Sequence, residues 1–477
     1  MTRADSRGSL RAEHDSMGEI AVPAAAYYGA STQRAVENFP ISALRLPRRL
    51  IAALGRVKAA AAQTNAELGL LDPAVADAIE EAAREMIDGR WDQEFVVDVF
   101  QTGSGTSSNM NANEVIANRA LELLGAPRGA RDRVHPNDHV NRGQSSNDVF
   151  PTAIQLAALD GVRHDLLPAL TELEAALIDR RDAFWPIIKT GRTHLQDATP
   201  IRLGQEFSGY AAQVARARGL VTAAAEHLEE LPLGGTAVGT GIGRHPEFAA
   251  GTIARLRSAC GAPGLRETDN HFQAQASLDV VVAAAGALRV TALALHKIAT
   301  DIRLLGCGPR AGIAELELPE VQPGSSIMPG KVNPVIIESL CMVVAQVIGN
   351  DATISFAAAT GSLLELNVML PVAGHSLIES IELLSRATVN FARRCVGGLR
   401  ASTRGPDLLD QGLALCTGLV PAIGYDAAAA IAHAAHRSGR TVREVAREQT
   451  RLDDAALDRL LDPERLVEPG FEGTAGG

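Results

Sequence analysis

Four stretches of the chain are dense in small polar residues: "TGSGTSSNMN" (102–111), "HPNDHVNRGQSSND" (135–148), "KTGRTHLQDATP" (189–200) and "GSSIMPGKVNP" (324–334). Their shared inventory is hydroxyls and amides with a few cations. Such a set suits an anion with several oxygens, bound by neutral donors plus one or two charges. A sugar would fit the hydroxyls but leaves Lys331 unexplained. In the last stretch, Gly324 and Gly330 with Pro323, Pro329 and Pro334 break any helix or strand. A long irregular loop beside the apolar "VIIESLCMVVAQVIGNDATISF" is therefore expected, and such loops carry function more often than helix interiors do.

Each stretch also has a plainer role. Ser104 to Ser108 precede a helical pattern and read equally well as helix caps. His135 and His139 stand four residues apart with Asp138 between them, but Pro136 and the lack of a third clear ligand weaken a metal reading. "GGTAVGTGIG" (234–243) has a phosphate loop's glycines without its spacing or a preceding strand, and reads as a loop between helices. His194 follows Thr193 just ahead of "LQDATP". Glu338, five residues beyond Asn333, is placed to orient a histidine brought in from elsewhere.

The elements that hold these loops are expected to be mostly α-helical. Aromatic residues make up 4% of the chain and alanine is abundant, which favours closely packed helices over a β-sandwich. Leu166, Leu170, Leu173 and Leu177 form the stripe of a bundle helix. "LDVVVAAAGALRVTALALHKIATDIRLL" is apolar nearly all round. Arg289, His296 and Lys297 interrupt it and no comparable second span is evident, so a central helix covered by neighbours, other subunits among them, is expected rather than a membrane span. Length suggests roughly three domains. The boundaries expected are 1–145 for an N-terminal domain, 146–400 for a central helical bundle and 401–477 for a small helical domain.

A net charge of −11 argues against a nucleic-acid binder, although a site can be locally basic inside an acidic protein. The first twenty residues lack the apolar core of a secretory signal and read as a mobile tail. Five scattered cysteines, with no C-x-x-C pair, point to a reducing cytoplasm and against a zinc or iron–sulfur framework.

Taken together, these motifs resemble the fumarase/aspartase superfamily, of which "GSSIMPGKVNP" looks like the signature. The resemblance runs from "VPAAAYYGASTQRAVENFPIS" to "IGYDAAAAIAHAAHRSGRTVREVARE". It implies a three-domain fold with a long central bundle, a homotetramer, and active sites each built by three subunits. Ser104 in "GSGT", Ser146 in "QSSND" and the stretch "GQEFSGY" are similar to class II fumarases. "YYG" and "DATPIRLGQEF" have the flavour of aspartate ammonia-lyases, which therefore stand as the alternative. The first implies reversible hydration of fumarate to L-malate, a step of the tricarboxylic acid cycle; the second implies release of ammonia from L-aspartate. Neither implies a metal or cofactor, a nucleic-acid partner or a membrane.

The same resemblance assigns roles. Ser325 matches the catalytic base, with His194 oriented by Glu338 assisting the leaving hydroxyl through a water. Ser104, Gly105, Thr106, Ser145, Ser146, Asn147, Thr193, Ser326, Lys331, Val332 and Asn333 match substrate-binding positions. His135, Pro136, Asn137 and Asp138 match a second anion site near the entrance. Departures are Ser362 to Leu364 where asparagine-phenylalanine is usual, Cys307 in place of serine, and Asp132 where an arginine often stands.

Overall fold

The structure is a computed structural model, and it describes residues 9–469. It is mostly helical, with short two-stranded sheets between the helices. The chain divides into two compact units, Met1–Pro168 with Arg218–Ala292 and Val343–Arg386, and Ala169–Ala217 with Leu293–Met342 and Ala387–Gly477.

The first unit opens with an antiparallel hairpin, Leu10–Asp15 on Gly18–Pro23. This corrects the expectation of a mobile tail over that stretch; the rest of the tail, residues 1–8, lies outside the described residues. One side chain explains the order. The Arg11 guanidinium donates to the carbonyls of Pro23, Ala24, Ala26 and Tyr28, so one cation closes four backbone acceptors. Arg34 clamps Asp15 at the turn and holds its carboxyl below the usual carboxylate range.

Behind the hairpin, Arg48–Glu67 packs its Leu50, Ile51, Leu54 and Val57 face inward, and Pro73–Ile87 runs back along it. Asp72 caps that second helix through the N–H groups of Ala74 and Val75, with Pro73 at its first position, where the missing N–H costs nothing. Thr106–Leu123 and Ser146–Gly161 complete the scaffold of the first two polar loops.

The leucine stripe is observed: Leu166, Leu170, Leu173 and Leu177 are all fully buried. The helix is not continuous through it, however. Val162–Leu166 forms a π-helical turn before Leu167–Phe184 resumes, next to Pro168, whose missing N–H cannot close an ordinary turn.

The bundle helices include Asp279–Leu305 and Val335–Gly361, and each is long and apolar enough to cross a membrane. The second corrects the expectation that no comparable span follows the first. Both leave large apolar side chains in solvent within the single chain: Leu293 on one, Met342 and Phe356 on the other. In the second unit, Tyr425–Ser438, Val442–Gln449 and Asp454–Leu460 surround a core of their own built on Leu415, Leu419, Ile431, Val445 and Leu457. A capping box between Thr441 and Glu444 starts the middle helix. The closing "EGTAGG" lies outside the described residues.

Candidate active site

In the first unit, the loop at 102–105 ends on Gly105, whose φ of 76° starts the helix Thr106–Leu123. A side chain there would be strained by that φ and would strike the Phe150 ring at 2.4 Å. This tight turn brings the hydroxyls together. Ser104 Oγ and Thr106 Oγ1 lie 2.8 Å apart, and Thr106 Oγ1 and Ser146 Oγ 2.6 Å apart. Ser146 stands at the start of the helix Ser146–Gly161, capped by Ser145, whose Oγ accepts from the Asn147 N–H. The plain reading holds at Ser145, which caps its helix, and fails at Ser104 to Ser108: the helix Thr106–Leu123 starts from Gly105 with no side-chain cap, and Thr106 to Ser108 lie inside it. Asn147 Nδ2 donates to the Ala237 carbonyl at 2.7 Å. The structure thus gathers Ser104, Gly105, Thr106, Ser145, Ser146 and Asn147.

Beside them lies a charge the sequence reading missed. Lys58 is fully buried, and its Nζ donates to Asn141 Oδ1 and Gln144 Oε1, each at 2.9 Å. Burial lowers it to about 7, against a smaller upward pull from Asp148. An unfolded lysine titrates near pH 10.4, so between about pH 7 and pH 10 the unfolded chain holds the extra proton. Folding then becomes more favourable as pH rises through that window, by up to about 1.4 kcal/mol per pH unit. Urea midpoints should climb from pH 7 to pH 9, and Lys58→Met should flatten the climb. An unchanged slope in that variant contradicts this reading of Lys58.

His135 to Asp138 form a self-capped turn. His135 Nδ1 accepts from the N–H groups of Asn137 and Asp138 at 3.1 and 3.2 Å, and His139 Nδ1 accepts from His135 N at 2.8 Å. An ion pair of His135 Nδ1 with Asp138, 3.5 Å away, would require a proton where those N–H groups need a lone pair. The capping contacts are the shorter, so Nδ1 serves those two N–H groups. Neither Nδ1 is left for a metal. Pro136 is buried, while Asn137 and Asp138 face an open cleft that also includes Arg142 and Arg244. Asp132 is exposed, and its neighbour Arg131 is turned toward Glu13 at 3.7 Å.

In the second unit, Ile188–Thr193 and Gln196–Arg202 pair as a hairpin with Thr193 opposite Gln196. The two turn residues, His194 and Leu195, have φ of 55° and 58°. Two-residue hairpins normally place Asn or Gly there; histidine enters the left-handed region more readily than most side chains, and Leu195 is the more strained of the two. A buried ion cluster holds the base of the hairpin. Lys189 Nζ meets Glu206 at 3.0 Å and Glu315 at 2.8 Å, and Arg192 meets Glu315 at 2.6 Å. Burial pushes the Glu206 carboxyl up; it pushes Glu315 up as well, but Arg192 and Lys189 more than reverse that.

The loop at 324–334 folds on itself. Gly324 N donates to the Lys331 carbonyl at 2.8 Å, closing its neck. Ser325 Oγ accepts from the N–H groups of Ile327 and Met328 at 3.2 and 2.9 Å. Lys331 Nζ donates to Asn333 Oδ1 at 2.5 Å, and Asn333 Nδ2 donates to the Gly324 carbonyl at 2.5 Å. Ser326 and Val332 are exposed. Glu338 follows on the first turn of Val335–Gly361, also exposed. No hydrogen bond joins it to His194 among the described residues of one chain.

Two N–H groups aimed at one serine oxygen, on the same loop as a lysine fixed by an amide, are the kinds of donor that stabilise an alkoxide and an oxyanion. A family model described as "Lyase" matches residues 18–349, and one described as "Fumarase C C-terminus" matches residues 415–468. A relative described as fumarate hydratase class II, from Methylorubrum extorquens, is 52% identical over 97% of this chain and 98% of its own length. One of the same description from Halobacterium salinarum is 54% identical over 97% and 98%. The crystal structure of class II fumarase from Schistosoma mansoni is 39% identical, covers 97% of this chain and 100% of its own, and superposes with a TM-score of 0.94. The chain belongs to the class II fumarase family.

Proposed function

We propose that the protein is a fumarate hydratase, adding water to fumarate to give L-malate and catalysing the reverse. The observation that carries this is the paired N–H donation to Ser325 Oγ on a loop that also fixes Lys331. Dehydration of malate must remove a proton from a carbon beside a carboxylate, leaving a doubly charged aci-carboxylate. An unperturbed serine is a poor base for that step; N–H donors and a nearby cation favour its alkoxide. Lys331 and Asn333, with Ser326 and the backbone at Val332, hold the charged carboxylate. Ser104, Thr106, Ser145, Ser146, Asn147 and Thr193 fix the remaining oxygens, and His135 to Asp138 form a second anion site.

His194, oriented by Glu338, assists the departing hydroxyl through a water. Both are exposed, and neither has a side-chain hydrogen bond among the described residues, as contributions from different copies would look. We therefore infer a homotetramer with each active site shared by three subunits, its core covering the exposed Leu293, Met342 and Phe356. The C-terminal core around Leu419 and Ile431 supports a separate domain at 401–477, with 1–145 and 146–400 as the other two. We place the enzyme in the cytoplasm, where its five free thiols stay reduced.

Purified protein should consume the ultraviolet absorbance of fumarate and form L-malate; no consumption contradicts the assignment. His194→Asn should lower kcat on the order of a hundredfold. A loss confined to KM would remove His194 from the acid–base apparatus.

A further inference from the structure

The turn at Gly234–Ala237, read from the sequence as a plain loop between helices, is built with unusual constraint. Thr236 is a β-branched residue held at φ 54°, a conformation such side chains avoid, and it is only 4% exposed. Both of its backbone groups are tied. Its N–H donates to Asp148 Oδ2 at 3.0 Å and its carbonyl accepts from Gln275 Nε2 at 2.8 Å. Asp148 Oδ2 also accepts from Gly234 N at 2.9 Å, while Oδ1 accepts from Ser145 N at 3.0 Å. Asp148 is fully buried, and Gln275 is 1% exposed. A side chain on Gly235 would meet Gln275 Oε1 at 1.8 Å, so the turn is pressed flat against that amide.

The product of this clamp is the position of one carbonyl. Ala237 O takes an N–H from Asn147 Nδ2 at 2.7 Å. A carbonyl can only be met by the amide nitrogen, so this contact fixes which way the Asn147 amide is turned. One N–H is then spent on Ala237, and the other stays available to an anion. A flipped amide would put its oxygen against the Ala237 carbonyl and remove the N–H from that place.

We propose that Asp148, with Gln275 on the opposite side of the turn, is a positioning residue for substrate binding, acting through the Ala237 carbonyl to orient the Asn147 amide. The proposal rests on the reading of Asn147 as a substrate contact. Asp148 touches no substrate; its carboxylate gathers the start of Ser146–Gly161 and the Gly234–Ala237 turn around one buried charge.

The test is a double-mutant cycle in the intact enzyme, reading KM for L-malate and the Kd of succinate, a dicarboxylate that cannot react. Asn147→Ala and Asp148→Asn should each weaken both by about tenfold or more, with a smaller change in kcat. The double variant should be no weaker than Asn147→Ala alone. Adding Thr236→Gly to Asp148→Asn should recover part of the loss, since glycine holds a positive φ without the clamp. Multiplied losses in the double variant would overturn the proposal and leave Asn147 as a contact. Unchanged KM and Kd in Asn147→Ala would overturn the reading of Asn147 itself, and the clamp's role with it. Should Asp148→Asn fail to fold, Gln275→Met cuts the same turn from its other face. It removes one donor and an amide oxygen that has no partner, and the same non-additivity with Asn147→Ala is expected.

Discussion

Ser325→Ala should abolish turnover, with kcat down by about a thousandfold or more, while the fold and the affinity for succinate persist. The reasoning is local. Ser325 Oγ accepts two N–H bonds from its own loop, and among the described residues it makes no other hydrogen bond. Alanine frees the N–H groups of Ile327 and Met328, both exposed residues whose donors water can satisfy, so stability changes little. The reaction loses the group that takes the proton. Circular dichroism, sedimentation and succinate titration report the first half, and malate dehydration rates the second. A folded variant with near-normal kcat removes Ser325 as the base.

The second large effect is expected at Lys331. Its ammonium is fixed by Asn333 Oδ1, and Asn333 is fixed in turn by the Gly324 carbonyl, so the charge is in place before substrate arrives. Preorganised charge aimed at a developing oxyanion is usually the largest catalytic contribution, and one such donor is worth about a hundred- to a thousandfold in kcat. Lys331→Met should lose at least that, with KM raised as well because the ground-state carboxylate loses the same partner. Lys331→Arg should not restore it, since a planar fork cannot occupy the place of a point charge held by one amide oxygen. Either variant within tenfold of the parent would contradict this role.

The serine loop was legible because its chemistry is contiguous. Gly324, Ser325, Lys331 and Asn333 lie within ten residues; Gly324, Lys331 and Asn333 bond to one another, and Ser325 to the N–H groups of Ile327 and Met328 between them. In the hydroxyl cluster each half is a helix start, but only Ser145 caps its helix; the other starts from Gly105 with no side-chain cap. Asp148 lay inside the quoted "QSSND", but its partners Gly234 and Thr236 are distant in sequence, and nothing local announces them. Lys58 sat unnoticed in an alanine-rich helix, where one lysine ordinarily faces water.

The N-terminal hairpin was missed because its strands carry little apolar alternation; a single arginine orders it rather than a buried face. The second apolar helix, Val335–Gly361, was masked by being read as a flank of the loop before it. No hydrogen bond joins His194 to Glu338 among the described residues, and a sequence carries no direct record of which distant side chains meet.

The most direct measurement compares L-malate and L-aspartate as sources of fumarate with the same purified enzyme, followed by ultraviolet absorbance. The account predicts fumarate from malate and none above background from aspartate, with Ser104 and Ser146 lining a site built for a hydroxyl leaving group. Fumarate from aspartate alone would keep the fold and the serine loop but contradict the hydratase.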